Sequence, residues 1–384
     1  MGTAAGTASR PRRAAERRGR ADAVALLATV VVLNAIGLVM VLSASSVQAL
    51  KQFGSSWVFF QRDVLWVAAG AAALALTARV DYRRWARLRV LLLATAGVLL
   101  VAVLVPSIGT DVYGSTRWLR AGPVSVQPSE FAKLALVVFG AVLLAQRADR
   151  MSDSNLTIRP VLIVFGGLGV LVMAQPDMGT TMVLACITFA MLFVAGAPLR
   201  PLAKVVGGGA ALAFVAARLE PYRWARMSSF RDPFADAGDS GYQLAQSLVG
   251  LGSGGLTGLG LGASRAKWGF LPNAHTDFIF AILGEEFGLF GSLLVIALFA
   301  TFTVLGVRIA MRAPDRFGTL LAAGVTAWVA GQACLNLGVV VGLLPVTGVP
   351  LPFVSFGGSS LLVTMAATGI LLNIARQARS PAPR

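Results

Sequence analysis

The stretch that decides the fold is 23-AVALLATVVVLNAIGLVMVLSASS-46, a run of 24 residues that contains no charged side chain. A helix needs about 20 apolar residues to cross a bilayer, so this run is long enough to span a membrane. Six arginines precede it, as at the start of a secretory signal, but the apolar core of a signal is only about 7–15 residues long. We therefore predict a retained first transmembrane helix.

Similar apolar runs recur along almost the whole chain. Hydrophobic residues make up 56% of it and charged residues only 13%, whereas a soluble protein is about a quarter charged. Apolar and polar residues do not alternate with a period of two, which disfavours an outer-membrane barrel. The sequence therefore predicts an all-α, polytopic integral membrane protein with about ten transmembrane helices. The predicted spans are residues 23–46, 57–78, 88–106, 129–146, 160–175, 177–195, 202–219, 277–307, 317–344 and 357–375.

The basic residues indicate the orientation of these spans. With a cytoplasmic N-terminus, 22 of the 33 lysines and arginines fall on inner segments, as the positive-inside rule requires. The net charge of +16 is then a topology signal, with some attraction to anionic headgroups, and gives no indication of nucleic-acid binding. We predict cytoplasmic tails at 1–22 and 376–384, and one membrane domain at 23–375 that includes a long outer loop at 220–276 between helices seven and eight.

Several kinds of site are disfavoured by the sequence. The chain has two cysteines, both in apolar runs, and one histidine, which gives no basis for a zinc site or a disulfide framework. The glycine-rich segment 258-GLGLGA-263 superficially matches a dinucleotide-binding pattern, but no predicted strand precedes it. The spacing of Gly284 and Gly288 is typical of closely packed helices. Residues 345–360 are apolar yet rich in proline and glycine, which indicates a re-entrant segment buried in protein.

Two predicted outer segments carry arginines, where the positive-inside rule disfavours them. Arg117 lies beside Trp118 in the second outer loop, and the long outer loop contains Arg223 and Arg226. Arginine binds phosphate through its planar guanidinium, so these side chains are expected to meet a phosphate-bearing lipid. Trp118 is either an interfacial anchor or a residue that lines the substrate site.

Ionisable residues within the predicted spans are costly, at least about 2.5–3.5 kcal/mol each, and are therefore candidates for function. Glu130 and Lys133 open the fourth span, and their i, i+3 spacing allows them to pair. The pair could simply stabilise the helix start, where a carboxylate suits the helix dipole. A lysine one turn into a membrane helix needs a partner or water, which favours a polar site facing a cavity.

The other buried carboxylates lie near predicted helix starts. Asp277 begins the eighth span where the long outer loop meets the bilayer, so a lipid-linked substrate could reach it; the alternative is a carboxylate satisfied by backbone N–H groups. Glu285 and Glu286 lie about two turns deeper and point in different directions, so we expect only one of them to face inward. Asp177 is expected to cap the sixth helix.

Several motifs in the same order resemble the SEDS family (shape, elongation, division and sporulation proteins) of polytopic peptidoglycan glycosyltransferases. Within that family the chain most resembles the division-site branch, FtsW, at the end of its first span and at 265-RAKW-268. Phe356 stands where the family usually has tyrosine, so we expect no catalytic role there. The matching strings are 117-RWL-119, 127-QPSEFAK-133, 175-QPD-177, 230-FRDP-233, 241-GYQ-243, 271-LPNAHTDFIFA-281, 285-EEFG-288 and 351-LPFVSFGGSS-360.

The resemblance implies an inverting glycosyltransferase that polymerises lipid II, a disaccharide peptide on undecaprenyl pyrophosphate, at the outer face of the bacterial cytoplasmic membrane, at the division septum. It implies Asp277 as the general base. No cofactor is required by the motifs, although Mg²⁺ or Mn²⁺ could assist the pyrophosphate. The expected partners are a class B penicillin-binding protein and other division proteins. The expected substrate-binding residues are Glu130, Lys133, Trp118, Arg117, Arg223, Arg226 and Ser359.

Three other functions remain open from the sequence. A polar intramembrane site also suits a flippase that moves lipid II across the bilayer, although the distinctive residues crowd one face. An elongation polymerase of the RodA kind is a variant of the same chemistry. A non-enzymatic scaffold would leave the buried ionisable residues unexplained.

Overall fold

The computed structural model describes residues 9–106, 109–112, 115–122, 124–151, 153–219, 224, 230–235, 238 and 241–378. Within these ranges the chain is predominantly helical, with a helix over each of the ten predicted spans. The helices are α1 (Ser9–Phe53), α2 (Val58–Arg79), α3 (Trp85–Val103), α4 (Pro128–Gln146), α5 (Ile158–Met173), α6 (Met178–Ala195), α7 (Leu199–Leu219), α8 (Tyr242–Ser253), α9 (Ile279–Met311), α10 (Arg316–Val340) and α11 (Gly358–Arg376).

The prediction of an all-α polytopic membrane protein is confirmed. Among the described residues, eight helices are long and apolar enough to cross a membrane, and α5 is a shorter apolar helix. The count of ten crossings therefore stays a prediction. Helices α4 and α11 are the most buried of the eight, so they form the centre of the bundle, whereas α2 and α3 expose most of their apolar surface. That exposure fits contact with lipid.

The structure differs from the sequence prediction in three connecting or terminal regions. Helix α1 begins at Ser9, so much of the predicted basic tail is the first part of a helix. The predicted long loop contains α8. The loop before α4 folds into an antiparallel sheet in the order β1-β2-β3. Its strands are β1 (Gly109–Val112), β2 (Ser115–Ala121) and β3 (Val124–Val126). Strands this short give too little alternation to be recognised by periodicity.

Polar side chains connect several helices and their connecting segments at one end of the bundle. Asp315, just before α10, lies 2.9 Å from the Arg83 guanidinium, and Arg83 also donates to Gln377 after α11 at 3.0 Å. Arg312, just after α9, pairs with Asp22 of α1. We call this side the basic end, and the opposite side, where α4 and α6 begin, the site end. Helices α1 and α11 also contact each other at the basic end, where a Cβ on Gly19 would lie 2.4 Å from the Ala375 carbonyl oxygen.

Helix α9 is interrupted, and a glycine-rich segment fills the interruption. Gly288 has φ +65° and ψ −159°, which breaks the helical hydrogen bonding. The freed groups pair with residues 255–260: the Leu259 N–H donates to the Glu285 carbonyl, and the Leu289 N–H donates to the Gly255 carbonyl, both at 3.0 Å. Backbone groups in a membrane must find such partners inside the protein.

The glycines of this segment permit close approach between backbones. A Cβ on Gly258 would lie 2.1 Å from the Glu286 carbonyl oxygen, and one on Gly254 would lie 2.0 Å from that of Gly284. Gly258 therefore serves the close packing of this segment against α9. The predicted close packing is present at Gly288, where a Cβ would lie 2.4 Å from the Gly258 backbone nitrogen, and this glycine is also needed for its positive φ.

Candidate active site

The buried ion pair predicted from spacing is present at the start of α4. Pro128 occupies the first turn, where its missing N–H needs no partner. The Lys133 ammonium lies 2.8 Å from both carboxylate oxygens of Glu130, and both side chains are at most 2% exposed. The same ammonium donates to the Gln332 side-chain oxygen at 2.8 Å and lies 5.0 Å from the centre of the Trp328 ring. The pair is therefore held against α10.

Arg117 reaches from β2 to the turn between α5 and α6. Its guanidinium donates to the carbonyl oxygens of Gln175, at 3.2 Å, and Pro176, and it lies 3.8 Å from a carboxylate oxygen of Asp177. Asp177 caps α6 as predicted, accepting from the Thr180 N–H at 3.0 Å. The arginine is thus fixed at the site end by a buried helix cap.

Asp277 and Arg117 both lie beside Gly348. A Cβ built on this glycine would lie 3.6 Å from an Asp277 carboxylate oxygen and 3.9 Å from an Arg117 guanidinium nitrogen. Gly348 has φ +70°, which a residue with a side chain rarely adopts. The structure therefore brings together two of the predicted site residues, a carboxylate and a guanidinium.

The backbone beneath Asp277 is hydrogen-bonded at three consecutive residues. The carbonyl oxygens of residues 275–277 accept, in order, from the Phe356 N–H at 3.0 Å, the Ser355 hydroxyl at 2.6 Å and the Asn336 side-chain amide at 2.7 Å. The predicted re-entrant segment thus lies directly against the Asp277 loop. Its residues Val349 and Leu351 are buried, as that prediction requires.

His275 packs as an aromatic side chain. Its ring lies 4.9 Å from that of Phe59 and 5.7 Å from that of Phe356. Burial lowers the pKa of His275 to about 4, so the imidazole is neutral near pH 7. It supplies no positive charge to the site.

The remaining predicted residues occupy different positions. Trp118 is half-buried, and because successive side chains of a strand point to opposite faces, it lies on the other face of β2 from Arg117. Ser359 is buried and accepts from the Gln127 N–H at 3.1 Å. Arg223 and Arg226 lie outside the described residues.

Sequence reasoning missed a second buried charged cluster. Glu286 accepts from the Ser43 hydroxyl at 2.6 Å and lies 3.2 Å from the Lys267 ammonium. Glu285 accepts from the Ser264 hydroxyl at 2.5 Å. Both carboxylates are buried, so the expectation that only one faces inward was wrong. The break in α9 and the folded-back segment allow both to find partners, which periodicity does not reveal.

No three His, Cys, Asp or Glu side chains come together as a potential metal site within the described ranges. A divalent cation therefore remains an expectation from the resemblance alone.

Comparison with known proteins identifies the family. A family model described as "Cell cycle protein", and named for FtsW, RodA and SpoVE, matches residues 24–380. The chain belongs to the FtsW/RodA/SpoVE family. The predicted SEDS resemblance is thereby confirmed.

Relatives of this family member cover nearly all of the chain. It is 41% identical to stage V sporulation protein E of Bacillus subtilis, over 93% of this chain and 98% of the relative. It is 42% identical to the probable peptidoglycan glycosyltransferase FtsW of Trichlorobacter lovleyi, over 91% and 92% of the two chains. It is 44% identical to the probable peptidoglycan glycosyltransferase FtsW of Mycobacterium tuberculosis, over 91% of this chain and 67% of the relative.

Two solved structures share the fold of this FtsW/RodA/SpoVE family member. A chain of a peptidoglycan synthase complex, in which polymerization and crosslinking are structurally coordinated, superimposes with a TM-score of 0.77 at 27% identity, over 92% of this chain and 97% of that one. Rod shape determining protein RodA of Thermus thermophilus gives a TM-score of 0.68 at 26% identity, over 92% and 96%.

Proposed function

We propose that this family member is a peptidoglycan glycosyltransferase that polymerises lipid II at the outer face of the bacterial cytoplasmic membrane during cell division. The observation that carries the proposal is the approach of the Asp277 carboxylate and the Arg117 guanidinium to the same position beside Gly348. A base and a cation side by side suit the transfer of a sugar from a pyrophosphate. The names of the FtsW relatives support the reaction class.

The proposed reaction joins two sugars by displacing a pyrophosphate. The acceptor 4-hydroxyl oxygen bonds to the anomeric carbon of the donor, and the bond from that carbon to undecaprenyl pyrophosphate breaks. Asp277 takes the hydroxyl proton as the general base. The pyrophosphate leaves with the bonding electron pair, and Arg117 stabilises its negative charge. Because an α-linked donor gives a β-1,4 glycan, the displacement inverts the anomeric carbon.

The buried Glu130–Lys133 pair has an ordering role in this proposal. Its two charges neutralise each other at 2.8 Å, and the hydrogen bond from Lys133 to Gln332 fixes α4 against α10. The other predicted residues keep supporting roles in substrate binding: Trp118, Ser359, Arg223 and Arg226.

We propose a class B penicillin-binding protein as the partner, together with other division proteins. The similarity to a chain of a peptidoglycan synthase complex supports an assembly of this kind. Mg²⁺ or Mn²⁺ would find no set of three acidic, histidine or cysteine ligands among the described residues, so it would rely on the pyrophosphate oxygens. No step of the proposed reaction depends on it.

The rival function is transport of lipid II. A transporter needs working surfaces toward both sides of the membrane, whereas Asp277, Arg117 and the Glu130–Lys133 pair all lie toward the site end. This one-sided arrangement favours the polymerase.

The test uses purified protein in detergent with lipid II and its cognate class B partner, whose transpeptidase is blocked with a β-lactam. Detergent removes the two compartments that transport requires, so only a polymerase forms long glycan chains there. We expect chains that a muramidase digests. Failure to form chains with the partner bound, combined with lipid II movement in vesicles, would establish the transporter instead.

A further inference from the structure

Two amide side chains of α10 connect the ion pair to the Asp277 loop. Gln332 and Asn336 are four residues apart, so they lie on one face of the helix, and both are at most 2% exposed. A buried amide without partners is destabilising, and these two are hydrogen-bonded to the re-entrant segment. Gln332 donates to the Pro350 carbonyl oxygen at 3.0 Å, and Asn336 donates to that of Val349 at 2.7 Å.

Gln332 also orients the lysine of the ion pair. Its side-chain oxygen accepts from the Lys133 ammonium at 2.8 Å and from the Trp328 indole N–H at 2.9 Å. An amide oxygen has two lone pairs, so both are used. Gln332 therefore links Lys133 to Pro350 through a single rigid group.

Asn336 makes the corresponding connection to Asp277. Its amide nitrogen donates both of its protons, one to Val349 and one to the Asp277 carbonyl oxygen at 2.7 Å. The Asp277 carbonyl is on the residue that carries the reacting carboxylate, so this bond fixes the backbone from which that carboxylate projects. Ser355, which accepts from the Leu351 N–H at 2.8 Å, fixes the preceding carbonyl.

We propose that Asn336 is a positioning residue for the Asp277 carboxylate, and that Asn336 and Gln332 together hold Asp277 and Lys133 in a fixed relation. This inference rests on the proposed function. A general base must lie within hydrogen-bond reach of the proton it takes, and a displacement of about 1 Å can reduce a rate by about 100-fold. Loss of the Asn336 donor should thus reduce turnover far more than substrate affinity.

The variant Asn336→Leu removes both donors and keeps the branched shape of the side chain, and Asn373→Leu is its matched control. Asn373 is also a buried amide, donating to the Ala78 carbonyl oxygen at 2.9 Å and accepting from the Tyr82 N–H at 3.0 Å, but it lies at the basic end. Both variants should lower the melting temperature. Only Asn336→Leu should lower kcat, by about 10- to 100-fold, with KM for lipid II within about threefold.

The assay measures the initial rate of glycan formation at several lipid II concentrations, corrected for the folded fraction. Ser355→Ala, which removes one bond to the same loop, should lower kcat several-fold and keeps the test decisive if Asn336→Leu does not fold. Equal kcat for the Asn336, Ser355 and Asn373 variants would overturn the positioning role while leaving the polymerase intact. Absence of glycan from the wild type would instead overturn the proposed function, and this inference with it.

Discussion

At Gly348 the absence of a side chain lets the Asp277 carboxylate and the Arg117 guanidinium both approach one position. This approach depends on a positive φ, which glycine adopts without the strain of about 1–2 kcal/mol that other residues incur. The small residue is therefore as much a part of the site as Asp277 and Arg117.

Gly348→Ala should lower polymerisation at least about tenfold, because φ +70° strains an alanine and relaxation of the loop shifts the backbone beside the Asp277 carboxylate and the Arg117 guanidinium. Gly196→Ala is the matched control: Gly196 has φ +85° at the end of α6, and a Cβ there would meet no atom within 4 Å. Similar losses of thermal stability are expected in both. Equal activity of the two variants, measured as glycan formation per folded molecule, would contradict the role given to Gly348.

Burial of His275 should make the free energy of unfolding depend on pH. Its pKa is lowered to about 4 by burial, so the unfolded chain, with a pKa near 6.5, binds the proton more tightly. This contribution to stability is complete above pH 6.5 and is lost as the pH falls toward 4. At pH 5 the loss should be about 2 kcal/mol.

His275→Phe should remove this dependence while retaining the packing between Phe59 and Phe356. Because His275 is the only histidine, no second imidazole obscures the result. Melting temperatures in one detergent at pH 7.5 and pH 5 provide the measurement. A wild-type protein and a variant that lose the same stability between these pH values would show that His275 does not titrate as its burial implies.

At the scale of elements, the interrupted helix α9 is the unusual feature. A continuous helix would satisfy its own backbone, whereas this one depends on residues 255–260 to complete its hydrogen bonds. The interruption lets the adjacent Glu285 and Glu286 both become buried and bind the segment that leads toward Asp277. The glycine-rich segment is thus part of the bundle rather than a free loop.

Gly258→Ala should destabilise the protein by several kcal/mol, because its Cβ would lie 2.1 Å from a backbone carbonyl oxygen that cannot move without displacing α9. Gly260→Ala shares the positive φ, but its Cβ would meet no atom within 4 Å, so only backbone strain of about 1–2 kcal/mol is expected. The melting temperatures of the purified Gly258→Ala and Gly260→Ala proteins provide the measurement. Similar melting temperatures would contradict the close packing of this segment against α9.

The parts of the fold that follow from local sequence could be predicted, and the tertiary parts could not. Hydropathy located the helices, and i, i+3 spacing located the Glu130–Lys133 pair, because both depend on neighbours in the chain. The break at Gly288 depends on a segment some thirty residues away. Gln332 and Asn336 are neutral amides, so they lack the charge that marks a candidate functional residue in a membrane span. Two amides four residues apart in an apolar span are nevertheless a recognisable signal.

At the scale of the whole molecule, the two ends of the bundle are built differently. The basic end carries the ion pairs Arg83–Asp315 and Arg312–Asp22, which join helices and connecting segments. The site end places Asp277 and Arg117 beside Gly348 and holds the buried Glu130–Lys133 pair at the start of α4. A basic end held by ion pairs and a site at the opposite end suit a polymerase that works at one membrane face.

The most direct measurement is the rate of glycan-chain formation from lipid II by Asp277→Asn, with the class B partner bound, against wild type and Asp315→Asn. Asp315→Asn makes the same chemical change at the basic end and should leave the rate per folded molecule nearly unchanged. Asp277→Asn should reduce that rate at least about 100-fold, the contribution expected of a general base. A rate within about threefold of wild type, from a well-folded Asp277→Asn protein, would contradict the assignment of Asp277 as the base.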